Sequence, residues 1–336
     1  MTRLSAVAGA AINGTAANGI LMLGNVLHAK EEFSKLSDLG PVTHITSGDR
    51  ESFLERCRSG EFNHIKAISR TVDSVAYTGR FDDELLSQLP SSIKFVCHNG
   101  AGYDQIDAKA ARKHGITVSN TPGYVNQATA DIGIFLLLGA LRKAWIPQKA
   151  IRNGEWQGQA PLGHDPLGKT IGILGLGGIG TAFAERAMAF GFKIQYHNRK
   201  PVECSKAKYV SFDELLATSD VISIHLPLND TTRHIISHKE FAAMKPGAVI
   251  INTARGAIID ENALVEALKS DKIWSIGLDV FETEPKVHPE LLKDDRVMLL
   301  PHIGSATLET RKAMEIQVMD NIDSAFQHDK LVNPVN

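Results

Sequence analysis

The 336-residue chain is poor in cysteine, in long apolar runs and in excess charge. Its three cysteines, Cys57, Cys97 and Cys204, are too few and too scattered for a disulfide framework or a zinc site, so buried structural thiols in a reducing compartment are expected. Lysine and arginine number 36 against 38 acids, a net charge of -2, which speaks against nucleic-acid or membrane-surface partners. The longest apolar run, "IGIFLLLGAL" at 132–141, is too short for a bilayer span, which takes ~20 residues. Residues 1–19 lack the basic cluster and strong apolar segment of a signal peptide, so a mobile tail and a cytoplasmic protein are expected. Asn13-Gly14-Thr15 matches a glycosylation sequon, but the low cysteine count argues against secretion. No internal repeat or low-complexity linker breaks the chain.

What the sequence does have is alternation. Short strand-like runs lie at 20–23, 42–45, 65–69, 93–97 and 116–119, with helical patterns between most of them. A second series follows at 171–174, 193–197, 221–225, 248–252, 275–280 and 297–300. A long helix pattern from Ala128 to about Trp145 lies between the two series. Strand-helix alternation implies parallel sheets with helices on both faces. The fold class expected is α/β, with two doubly wound parallel-sheet domains, a Rossmann dinucleotide-binding domain inserted into a flavodoxin-like substrate domain. "NTPG" at 120–123 and "PHIGSA" at 301–306 read as the crossings. Residues 20–121 and 305–336 then form the substrate domain and 122–304 the dinucleotide-binding domain, with a C-terminal helix at about 305–328 returning to the former.

The motif "GLGGIG", Gly175 to Gly180, follows the apolar strand "IGIL" and opens a helical pattern. In that context GxGxxG is a dinucleotide fingerprint. Gly175 permits the tight turn, Gly177 lets the backbone approach a pyrophosphate, and Gly180 lets helix and strand pack closely. Gly178 and Ile179 lie inside the motif, at a helix N-terminus that offers free N–H groups to phosphate.

The next strand ends in "YHNRK". An acid is usual there, holding the ribose 2′-hydroxyl. This chain has Asn198, then Arg199 and Lys200. An uncharged residue followed by two cations suits a 2′-phosphate, so NADP is the expected cofactor, with NAD possible at lower efficiency.

Three further stretches end strands where open α/β sheets bind ligands. They are "INTARG" with Arg255, "GLDVFETEP" with Asp279, Glu282 and Glu284, and "PHIG" with His302. Arginine can clamp a substrate carboxylate in a fork. Histidine can protonate a carbonyl oxygen as hydride reaches its carbon. A glutamate beside it orients the ring and favours its charged form.

These motifs, with "CHNGAGYDQID" at 97–107, "ATADIGIFLLLGALR" at 128–142 and "MKPGAVIINTARGAIIDENALVEAL" at 244–268, resemble the D-isomer-specific 2-hydroxyacid dehydrogenases over nearly the whole chain after residue 20. The chain looks closest to the glyoxylate/hydroxypyruvate reductases of that family. The resemblance implies that Arg255 binds the substrate carboxylate and carbonyl, and that His302 is the acid/base, paired with Glu284. It implies that Asp279 faces the nicotinamide carboxamide and that backbone amides of Ala101 and Gly102 hold the carboxylate from the other domain. It places Thr129, Pro227, Thr232, Thr253 and Ala254 along the cofactor, with Leu226 and Gly304 beside them. Many relatives carry Arg where this chain has Gly178, which removes a polar contact near the pyrophosphate and leaves the turn intact. A homodimer through the 128–145 helix region is also implied.

The expected function is NADPH-dependent reduction of small 2-keto acids, glyoxylate and hydroxypyruvate first, with the domains closing over the substrate. No metal is expected, because Arg255 and hydrogen-bond donors can polarise the carbonyl. A reductase of bulkier aromatic or branched keto acids is the alternative within the class. A dinucleotide-sensing, corepressor-like binding protein is the alternative outside it.

Overall fold

The computed structural model describes residues 17–203 and 206–336. Most of the expected tail, the sequon and Cys204 lie outside them. Contacts divide the chain into two compact units, Met1–Thr121 with Glu315–Asn336, and Pro122–Met314. The second crossing falls later than the 304/305 read from sequence. It lies inside the helix Leu308–His328, and a continuous helix carries no Gly or Pro to mark where its contacts change.

The first unit holds β1 (Gly19–Leu23), β2 (Val42–Ile45), β3 (Ile65–Thr71), β4 (Phe95–Asn99) and β5 (Thr117–Ser119). They form a five-stranded sheet in the order β2-β1-β3-β4-β5, and every paired strand is parallel. Ile20, Leu21, Leu23, Ile68 and Val96 are buried; consecutive rather than alternating apolar residues reflect helices covering both faces. β3 runs past the expected Ser69 because the ladder continues, Arg70 opposite His98 and Thr71 opposite Asn99. A backbone ladder does not depend on side-chain charge, so Arg70 enters the sheet and is fully buried.

The second unit holds β6 (Thr170–Leu174), β7 (Lys193–His197), β8 (Lys208–Tyr209), β9 (Val221–Ile224), β10 (Ala248–Asn252), β11 (Ile273–Leu278) and β12 (Val297–Leu299). Their order is β12-β11-β10-β9-β6-β7-β8, again all parallel. The order reverses between β6 and β9, the switch point at which such sheets bind ligands. Sequence missed β8, two exposed residues with no apolar run to announce them. The expected single helix to Trp145 instead spans Val125–Arg142 and stops at Lys143, whose φ is 46°. The Lys143 ammonium lies 3.6 Å from the centre of the Trp274 ring, within cation–π range. A second helix, Trp145–Arg152, follows. Among the described residues no helix is long and apolar enough to cross a membrane.

Candidate active site

The fingerprint loop joins β6 to the helix Gly178–Ala189. Gly175 has φ +96°, and a Cβ there would lie 2.9 Å from the His225 carbonyl oxygen. A Cβ at Gly180 would lie 2.4 Å from the Gly175 carbonyl oxygen. At Gly177 nothing lies within 4 Å, so no protein atom demands glycine there, and a ligand backed against the chain would. No side chain caps the helix, which leaves its first amides without a capping acceptor, the kind of N-terminus that can take an anion. Gly178 has a local reason to be small, since a Cβ would come within 2.3 Å of Asn126 Nδ2. Ile179 is half-buried behind it.

At the end of β7, Asn198 Oδ1 accepts the Leu176 N–H at 2.7 Å, and Nδ2 lies 3.5 Å from the Leu176 carbonyl oxygen. Asn198 thus ties the strand end to the Gly-rich loop, a task the sequence did not reveal. Arg199 and Lys200 are exposed. After β9, Leu226 and Pro227 follow His225 beside the Gly175 turn; the nearest Leu226 carbon is 3.1 Å from a Cβ built at Gly175. The Thr232 hydroxyl donates to the Pro227 carbonyl at 2.6 Å and accepts the Asn229 N–H at 2.9 Å, so it braces that loop.

The loop after β10 is held by Asn252. Its Oδ1 accepts the Ala254 N–H at 3.0 Å and its Nδ2 donates to the Arg255 carbonyl at 2.9 Å. Thr253 Oγ1 is buried with no hydrogen-bond partner. A buried hydroxyl without a partner is costly, and a ligand group could meet it. Gly256 was overlooked in the sequence. A Cβ there would lie 1.8 Å from the Phe281 carbonyl carbon, so only glycine lets the Arg255 loop lie on the Phe281–Glu284 loop.

His302 follows β12 in the left-handed region, φ 54°. Its N–H donates to the Asp279 carbonyl at 2.8 Å, and the two Asp279 carboxylate oxygens accept the N–H groups of Ile303 and Gly304, each at 2.8 Å. Left-handed backbone is unfavourable for a non-glycine residue, and these three bonds hold it. Burial raises the Asp279 pKa, against the lowering effect of the two amides. A Cβ at Gly304 would sit 3.1 Å from Asp279 Oδ2 and from Thr129 Cγ2, so Thr129, Asp279 and Gly304 form one tight cluster.

His302 Nδ1 and Glu284 Oε2 lie 2.8 Å apart. Glu284 Oε1 also accepts the Phe281 N–H at 3.0 Å. Burial pushes the Glu284 pKa up, but the His302 hydrogen bond and charge, the Phe281 amide and the Arg255 charge outweigh it and hold the carboxyl below its usual value. The carboxylate therefore stays ionised through the neutral range, and its stabilising contribution is lost only as pH falls through this lowered pKa. Arg255, Glu284 and His302 thus meet on one unit. Ala101 and Gly102 lie in the other, in the loop after β4.

Glu284→Gln removes the charge that faces His302 Nδ1. On the reading that His302 protonates a keto acid during its reduction, activity should then fade at lower pH than in wild type. An unchanged pH profile of kcat would remove Glu284 from this role.

Residues 134–304 match the family model described as "D-isomer specific 2-hydroxyacid dehydrogenase, NAD binding domain". The chain is 54% identical to 4-methyl-2-oxopentanoate reductase A of Aspergillus oryzae over 94% of this chain and 97% of that protein. It is 55% identical to a crystallised glyoxylate reductase from Paecilomyes thermophila, with a TM-score of 0.94 over 96% of this chain and 99% of the other. It is 33% identical to an NADPH-dependent glyoxylate/hydroxypyruvate reductase from Sinorhizobium meliloti solved with NADP and malonate, with a TM-score of 0.83 over 95% and 97% of the two chains. With the fingerprint loop, the His302–Glu284 pair and these likenesses together, the chain belongs to the D-isomer specific 2-hydroxyacid dehydrogenase family.

Proposed function

We propose that the protein reduces small 2-keto acids, glyoxylate and hydroxypyruvate foremost, to D-2-hydroxy acids with NADPH, and uses NADH less efficiently. The observation that carries this reading is the 2.8 Å His302–Glu284 pair, with the Arg255 charge acting on the same carboxylate. Arg255 takes the substrate carboxylate and carbonyl, with the backbone amides of Ala101 and Gly102 as further carboxylate donors. His302 Nδ1 faces Glu284, so Nε2 is the nitrogen that gives its proton to the keto oxygen. When bound, a reduced nicotinamide supplies the hydride. Thr129, Asp279 and Gly304 hold its carboxamide end, and Thr253 Oγ1 gains a partner there. Ala254, Leu226, Pro227 and Thr232 line the dinucleotide, and Gly175 to Gly180 take the pyrophosphate. A homodimer through the 128–145 region is part of the proposal, supported by Phe135, 54% exposed on the helix Val125–Arg142.

A second reading, reduction of a branched keto acid, is favoured by the 54% identity to a protein named 4-methyl-2-oxopentanoate reductase A. Pocket volume separates the two, and a comparison of substrates decides between them.

The NADPH preference rests on Arg199 and Lys200. Both are exposed, and no hydrogen bond or ion pair among the described residues engages either. A 2′-phosphate carries roughly -1.5 to -2 charges near neutral pH. An acid at position 198 repels it; Asn198 does not. Arg199→Ala should weaken NADPH use by about 10-fold or more and leave NADH use nearly unchanged. Asn198→Asp should keep the bond to the Leu176 N–H and shift preference toward NADH. Both cofactors are titrated at fixed ionic strength, because salt screens exposed phosphate contacts. An unchanged NADPH/NADH ratio in Arg199→Ala sinks the coenzyme assignment.

A further inference from the structure

The first unit contains a buried cation with no assigned part in the proposed reduction. Arg70, at the end of β3, is 0% exposed. Its guanidinium donates to Gln105 Oε1 at 2.9 Å, Ser74 Oγ at 3.3 Å and His98 Nδ1 at 3.4 Å, and lies 5.1 Å from the centre of the Phe81 ring. All three acceptors are neutral groups. Buried charges are ordinarily paired, because desolvation is costly. Burial lowers the Arg70 pKa to about 10, which still leaves it charged at neutral pH; Tyr77 and Asp104 act on it through space.

His98 passes this contact on. Its Nδ1 accepts from Arg70, so its Nε2 carries the proton and donates to the Gly102 carbonyl at 3.0 Å. The ring is pressed on the loop, since a Cβ at Gly100 would lie 2.6 Å from Nε2. The neighbouring carbonyls are held too. Gly100 O accepts the Thr121 N–H at 3.0 Å, and Ala101 O accepts from Asn120 Nδ2 at 2.7 Å. Three successive carbonyls therefore turn toward protein donors. The N–H groups of Ala101 and Gly102 meet no acceptor among the described residues.

We propose that Arg70 is a positioning residue for the substrate carboxylate. Through His98 it fixes the Gly102 carbonyl so that the Ala101 and Gly102 amides stay free for an anion, and its charge behind the loop favours that anion. This rests on the assignment of those two amides to the substrate. A unit charge one imidazole ring away changes anion affinity on the order of 10-fold in a partly buried site.

The test is Arg70→Met beside Arg70→Lys. The readouts are KM and kcat for glyoxylate, the Kd of the non-reducible carboxylate oxamate on the protein–NADPH complex, and the Kd of NADPH alone. Arg70→Met should raise KM and the oxamate Kd about 10-fold or more, lower kcat by no more than about threefold, and leave NADPH binding unmoved. Arg70→Lys, which keeps charge but not the fork, should recover part of the loss. A folded Arg70→Met with wild-type KM and oxamate Kd overturns the proposal, as does a loss confined to kcat. If Arg70→Met does not fold, His98→Phe takes its place. It keeps a ring but removes the donor to Gly102, and an unchanged KM overturns the proposal equally. A wild type that turns over no 2-keto acid, or does not bind oxamate, fails the underlying assignment instead.

Discussion

Replacing His302 with Ala should lower kcat by ~10²–10⁴-fold, the range general acid catalysis supplies, while NADPH still binds. His302 is tied at Nδ1 to Glu284, and its other nitrogen is the one proposed to protonate the keto oxygen. The fingerprint loop and the β7 end, which are assigned to the nucleotide, make none of the hydrogen bonds that hold this ring. The backbone adds a complication that a control removes. His302 sits at φ 54°, where Ala is disfavoured, so His302→Ala could also shift the turn held by Asp279. Asn tolerates the left-handed region and offers no proton of suitable acidity. His302→Asn should therefore lose activity to a similar extent with the turn intact. If either variant keeps more than about a tenth of wild-type kcat, the acid is another group.

Arg255→Lys should impair keto-acid turnover by roughly 100-fold in kcat/KM while barely changing NADPH affinity. Lysine keeps the charge, but it cannot present two parallel N–H groups to a carboxylate. Losing one charge-assisted bond costs ~1.5–3 kcal/mol, and misplacing the keto group adds to it. The Arg255 side chain is braced, with Nη1 donating to the Ala254 carbonyl at 2.7 Å, and the loop below it is fixed by Asn252 and by the contact of Gly256 with Phe281. Lysine inherits the loop but not the planar fork. Normal kcat/KM for glyoxylate in this variant would show that another residue holds the carboxylate.

Both sheets, and the meeting of Arg255, Glu284 and His302, were legible for one reason. Arg255, Glu284 and His302 each follow a buried apolar run, and parallel sheets bring strand ends of that kind to one edge. The GxGxxG spacing carried the loop in the same way. What escaped the sequence depends on contacts between distant segments. Nothing in "NTARG" says that Gly256 lies against the Phe281 backbone. Asn198 reads as a neutral stand-in for an acid, yet its carboxamide braces Leu176. Lys143 ends a helix that its apolar pattern would have continued, and its ammonium lies over Trp274, far along the chain. Arg70 reads as the end of a strand, and only the fold shows it buried beneath the Gly102 loop.

The most direct measurement is NADPH oxidation by purified wild-type protein on addition of 2-keto acids at fixed salt. Glyoxylate, hydroxypyruvate, phenylglyoxylate and 4-methyl-2-oxopentanoate would be compared by kcat/KM. The account predicts rapid oxidation, highest with glyoxylate or hydroxypyruvate and slower when NADH replaces NADPH. Preference for 4-methyl-2-oxopentanoate would move the substrate to the branched class and keep the chemistry. No oxidation of either cofactor with any of the four would contradict the account at its centre.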